Sequence, residues 1–185
     1  MNMQAKTSEL VRPIDVAALR LQGQQSIEIE ASAAERTAIA KRLGVPKIDL
    51  LSAGLVAEPW KGEGVRVHGE YRAVLEQTCV VTLEPIPVTL SEPVEVFFAA
   101  ESAAPDQELE EMLDPEAPDP PEPLPASGFI EAGELVVQLL AVALDPYPRK
   151  PGAAFAGGPG AQTGTEPPEN SPFAKLAALK RPEKG

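Results

Sequence analysis

The chain has 185 residues, a formal net charge of −12 and only 4% aromatic residues. It is long enough for one domain of ordinary size, with a core built mainly from Val, Leu, Ile and Ala. One cysteine excludes an intramolecular disulfide framework, and no stretch approaches the roughly 18 consecutive apolar residues of a membrane span.

The opening MNMQAKTSELVRPIDV has no apolar h-region and no small-residue cleavage site, so a cytoplasmic location is expected. Ser8 to Ile14 has weak strand character, and Ser26 to Ala31 alternates apolar and acidic residues. Ser32 followed by Glu35 forms a capping box and predicts a helix over 33–43. Lys41 and Arg42 suit the negative end of that helix, Gly44 closes it, and Pro46 prevents continuation.

Strand signals follow. Leu51, Ala53, Leu55 and Ala57 alternate between Ile48 and Trp60, and Lys61 to Gly64 (KGEG) is a turn. Beyond it, Val65, Val67, Gly69, Tyr71, Ala73 and Leu75 alternate with Arg66, His68, Glu70, Arg72 and Glu76, with only Val74 out of pattern. After Pro85 and Pro87, Val88, Leu90, Val94, Val96 and Phe98 share one face. Consecutive strands joined by short turns predict an antiparallel meander.

Glu101 to Pro125 holds nine acids and seven prolines, so the net charge says little about any other face. Such a segment buries too little apolar surface to offset its ordering entropy, and a disordered insertion is expected over 101–126. It reads either as a solvated spacer or as a mimic of nucleic acid or a cation binder. Ile130 to Leu144 predicts a second helix with Leu135, Val136, Leu139, Leu140 and Ala143 on one stripe, stopped by Asp145-Pro146-Tyr147-Pro148.

Residues 151–170 are a Gly/Pro-rich linker, and 171–185 form a short amphipathic segment. The resulting expectation is an α+β fold in one domain over 1–150. A curved antiparallel sheet, a meander with barrel-like closure as an alternative, is flanked by two main helices.

The chemistry is sparse. His68, the only histidine, falls on a solvent-facing strand position without a partner. Cys79 shares the parity of the buried strand residues and reads as a core thiol, with no His, Lys or Arg expected on its face. Gly157-Gly158-Pro159-Gly160 follows no strand and is not a phosphate loop. No nucleophile, base and orienting group stand in a recognisable pattern, so no catalytic residue, metal, cofactor or small-molecule substrate is expected.

Two segments pair an aromatic residue with cations, as proteins do to stack bases and hold phosphates. They supply the candidate partner-binding residues Tyr147, Arg149 and Lys150, and Phe173, Lys175, Leu176, Leu179, Lys180 and Arg181. The plainer reading of these segments is a helix stop and a docking tail.

Three signatures occur in order: Gln77-Thr-Cys79-Val-Val-Thr82-Leu-Glu-Pro85; Gly128-Phe-Ile-Glu-Ala-Gly-Glu-Leu135 running to Leu144-Asp-Pro-Tyr-Pro-Arg149; and Ser171-Pro-Phe-Ala-Lys-Leu-Ala-Ala-Leu-Lys180. Together, from about Glu9 to Lys180, they resemble the YceD-like family, the large ribosomal RNA subunit accumulation proteins, and the Pro-Tyr-Pro-Arg ending is similar to its alphaproteobacterial branch.

The resemblance implies a bacterial, non-enzymatic factor in ribosome biogenesis that supports accumulation of large-subunit ribosomal RNA. Its partner would be that RNA or a pre-ribosomal particle. The alternative is an acidic adaptor or chaperone that binds a basic large-subunit ribosomal protein through the acidic insertion. Many family members carry C-x-x-C at Cys79 to Thr82 and further cysteines after the second helix, which suggests a metal site. Here Thr82 stands in the second place and Asp145 to Gly152 has no cysteine, so no metal is expected at this turn.

Overall fold

The computed structural model describes residues 8–99 and 120–154. The chain divides into a compact unit, Met1–Pro151, and a second unit, Gly152–Gly185. Strands β1 (Pro13–Asp15), β2 (Gln25–Glu30), β3 (Lys47–Trp60), β4 (Gly64–Thr78), β5 (Pro85–Ala99), β6 (Glu122–Pro123) and β7 (Phe129–Glu131) accompany helices α1 (Val16–Gln22), α2 (Ala33–Leu43) and α3 (Ala132–Ala143). The fold is α+β, as its sequence predicts.

β2 to β6 form one sheet in sequence order, antiparallel except for the β5–β6 pair. β1 and β7 form a separate two-stranded ribbon. The barrel-like alternative is corrected: β2 and β6 are the two edges of an open sheet. β2 is only six residues long, and Pro85, Pro87 and Pro93 on β5 remove donors that a further strand would need.

The alternation read from the sequence explains the layers. Leu51, Leu55, Val65, Val67, Tyr71 and Leu75 point inward and pack with Leu19, Ile39, Val136 and Leu140 in the core. Each such side chain contributes about 1.5–3 kcal/mol of apolar burial. A register shift between Ile48 and Leu50 lets Ile48 and Leu51 both reach the core. Gly69 sits at φ +151, and a Cβ there would collide with the Gly54 carbonyl on β3, so β3 and β4 approach closely only because this position carries no side chain.

α2 begins at the expected capping box. Ser32 Oγ accepts from the Glu35 N–H at 3.3 Å, and Glu35 Oε2 accepts from the Ser32 N–H at 2.7 Å. α1 is a correction, since the sequence predicts two main helices. Its seven residues are too few to show an apolar period, but Asp15 caps it by accepting from the Ala17 and Ala18 N–H groups. Strand pairing near the N-terminus is correspondingly confined to β1.

The buried face of α3 is Ala132, Gly133, Val136, Val137 and Leu140; Ala143, expected on the stripe, is exposed. β6 is a further correction, because Glu122 and Pro123 lie within the expected disordered stretch yet pair with Phe98 and Ala99. Residues 100–119 lie outside the described residues. Among the described residues, no helix is long and apolar enough to cross a membrane.

Candidate functional site

β4 ends at Thr78 and the chain turns through Cys79–Glu84 into β5. The turn is closed by the Cys79 N–H on the Glu84 carbonyl and the Leu83 N–H on the Cys79 carbonyl, both at 2.9 Å. Leu83 adopts φ +61, a left-handed conformation that branched and bulky residues seldom take. Its side chain is 76% exposed. A strained, solvent-facing Leu has no packing reason to be there, and such outliers cluster at functional positions.

The segment after α3 lies against this turn. Gln77 Nε2 donates to the Asp145 carbonyl at 2.9 Å, and the Val80 N–H donates to the Pro148 carbonyl at 2.9 Å. Asp145 Oδ1 accepts from the Tyr147 N–H at 2.8 Å, an Asx turn that shapes the segment locally. Lys150 Nζ donates to Glu84 Oε2 at 2.8 Å, an exposed pair that raises the Lys150 pKa and lowers that of Glu84.

Cys79 sits at the junction with 0% exposure. Its Sγ accepts from the backbone N–H groups of Lys150 and Thr82, each at 3.4 Å. Those donors, Lys150 first and Thr82 next, hold the thiol pKa down at about 6 against the opposing effect of burial. The thiol pKa is lowered by main-chain donors, a cause that the side-chain pattern of its own strand does not show. Lys150, 71 residues later in the chain, supplies its main-chain donor there. Nothing in local sequence periodicity encodes that contact.

The donor set does not fit the metal that the family resemblance suggests. A structural zinc takes four nitrogen, sulfur or carboxylate ligands. Here one sulfur faces two backbone N–H donors. Thr82 stands where a second thiolate would be. Glu84, the nearby carboxylate, is engaged by an ammonium. Among the described residues, no group of three or more His, Cys, Asp or Glu side chains could hold an ion. Direct hydrogen bonds join the turn to the 145–150 segment.

The candidate residues distribute as follows. Tyr147, Arg149 and Lys150 are exposed, with Tyr147 at 72%, on the segment that hydrogen-bonds to the turn carrying the exposed Val80 and Leu83. Lys150 is engaged with Glu84 and serves as a brace. Sequence reasoning did not single out Val80 and Leu83, both exposed on the turn. Phe173, Lys175, Leu176, Leu179, Lys180 and Arg181 lie outside the described residues. His68 is half-buried on the outer sheet face, its Nε2 3.7 Å from Glu58 Oε1.

A sheet that braces an exposed apolar and cationic tip above a buried thiol defines a scaffold of the α+β class. The chain belongs to the YceD family: the family model described as large ribosomal RNA subunit accumulation protein YceD matches residues 67–180. All three signatures named from the sequence fall inside that match, which begins in β4 rather than near Glu9. Membership implies a role in accumulation of large-subunit ribosomal RNA. No curated protein and no solved structure matches the chain.

Proposed function

We propose that this protein is a non-enzymatic assembly factor of the large ribosomal subunit that binds ribosomal RNA or a precursor particle through the hairpin tip. The observation that carries this reading is the hydrogen-bonded docking of the 145–150 segment on the Cys79–Glu84 turn, with Leu83 and Tyr147 left 76% and 72% exposed and Arg149 exposed as well. Aromatic and arginine side chains anchor binding interfaces, and a support held by main-chain hydrogen bonds lowers the ordering cost of contact. Pro146 and Pro148 restrict the segment further. The C-terminal residues Phe173, Lys175, Leu176, Leu179, Lys180 and Arg181 are proposed as further partner-binding residues.

The test is sedimentation of the tagged full chain through a sucrose gradient. Co-migration with large-subunit precursors is expected, and its absence at physiological salt would overturn the reading. The adaptor alternative makes a different demand: association would be lost on deletion of 101–119, which spares β6, and retained in the tip variant Tyr147→Ala/Arg149→Ala.

A further inference from the structure

The outer face of the sheet carries an aromatic and cationic cluster at the end of β4 remote from Cys79. Trp60 and Phe97 lie side by side with ring centroids 4.8 Å apart and planes inclined at 44°. Both are half-buried. Lys61 Nζ stands 4.7 Å from the Trp60 ring, and the Arg66 guanidinium carbon 5.9 Å from the Phe97 ring. The strand parity that sends Val65, Val67 and Phe98 inward turns Arg66 and Phe97 outward as register partners.

The platform is built into the backbone. Gly64 pairs with Trp60 across the hairpin, and a Cβ at Gly64 would lie 2.6 Å from the Trp60 carbonyl oxygen and 3.0 Å from its ring. The indole therefore lies down on bare main chain. Arg66 is held upright between Glu58 at 3.0 Å and Glu95 at 2.7 Å.

We infer that this cluster is a stacking site for unpaired bases of single-stranded RNA. The inference rests on the reading of the protein as a factor that engages ribosomal RNA. Charge selects the occupant. Lys61 and Arg66 are balanced locally by Glu58 and Glu95, so the site cannot gather a phosphate backbone by net charge. What it offers is two adjacent aromatic rings: Lys61 lies over Trp60 and Arg66 over Phe97, and a base stacks on Trp60 as Lys61 swings off that ring toward the phosphate. Lys61, for which no ion pair occurs among the described residues, is the cation free to follow a phosphate. A duplex keeps its bases stacked and presents only phosphate to these acids, so it is excluded.

Trp60 is the chain's only tryptophan, so its emission reports on this site alone. Titration of the full chain with an oligoadenylate of about twelve nucleotides should quench that emission saturably. Duplex RNA of equal length should not. The log–log salt slope should be shallow, about −1, as for one or two phosphates of a single strand. Trp60→Leu and Phe97→Thr should each weaken binding of a labelled oligoadenylate about tenfold with the melting temperature retained. Phe97→Thr guards against the case in which loss of the indole over Gly64 disturbs folding.

Absent quenching, equal quenching by duplex, unchanged affinity in Phe97→Thr, or quenching by a basic peptide in place of RNA would overturn the site. Loss of stacking with co-sedimentation intact removes the site and leaves the assembly reading standing. Stacking in a protein that fails to co-sediment removes the assembly reading alone.

Discussion

Arg42 at the end of α2 grips Glu134 at the start of α3 through both of its terminal nitrogens, with Nη1 donating to Oε2 at 2.8 Å and Nη2 donating to Oε1. The same Nη1 donates to Glu9 at 2.8 Å, so one guanidinium ties together three parts of the chain. The Arg42 and Glu134 side chains are only 24% and 23% exposed, which places the pair between the surface and buried regimes. Arg42→Met should therefore destabilise by about 2 kcal/mol, or about 4–8 °C in melting temperature. The two-pronged bond from Arg42 holds the Glu134 pKa down from 4.5 to about 2. A lowered folded-state pKa contributes stability that is complete above the unfolded value and lost as pH falls through the folded one. Acid unfolding should thus steepen between pH 4.5 and 2 in the wild type and flatten in Arg42→Met.

Gly69→Ala tests the close approach of β3 and β4. Its φ of +151 is unfavourable for alanine, and the added Cβ would strike the Gly54 carbonyl. Both effects act on a central strand that cannot shift freely. The variant should lose about 2–4 kcal/mol in urea unfolding. A loss below about 0.5 kcal/mol, the size of an ordinary surface change, would show that the strands relax apart at that point.

The parts of this fold that were legible in sequence are those encoded by short-range pattern. The alternation from Val65 to Leu75 and the Ser32–Glu35 box specify β4 and α2 directly. α1 was not legible because seven residues cover only two turns, and its signal is the single cap at Asp15. The outer-face pairing of Trp60 with Phe97 was also hidden. It depends on the registers of two hairpins, and periodicity supplies parity but not register. The same holds for Lys150 against Cys79, a contact 71 residues apart in the chain.

Cys79 should titrate near pH 6 when thiolate absorbance is followed in the folded protein, against 9 for an ordinary thiol. Because its folded-state pKa is depressed, the thiolate contributes stability fully present above pH 9 and lost as pH falls through about 6. The advantage of the wild type over Cys79→Ala in melting temperature should therefore grow from pH 6 to pH 9. Cys79→Ser keeps an acceptor for the Lys150 and Thr82 N–H groups and should be the milder variant, since Ala leaves both donors unpaired. Dialysed protein should hold less than one equivalent of zinc. Stoichiometric zinc would mean that ligands beyond this turn reach the thiol.

The hairpin tip can be separated into presenting and bracing residues. Tyr147 and Arg149 face solvent, while Lys150 is engaged by Glu84 and its main chain by Cys79. If the first two contact the partner, Tyr147→Ala/Arg149→Ala should fold normally and lose association with precursor particles by tenfold or more, a roughly 1.4 kcal/mol effect typical of aromatic and arginine anchors. Leu83→Gly should relieve the left-handed strain while removing an exposed apolar group, so stability should hold or rise as association falls. That opposite movement distinguishes a contact residue from a structural one. Lys150→Gln should loosen the brace and weaken association less than the double variant, because the Val80 and Pro148 main-chain bond remains. Wild-type sedimentation in both the double variant and Leu83→Gly would show that the particle is bound elsewhere, and would move the search to the outer sheet face and the C-terminal segment.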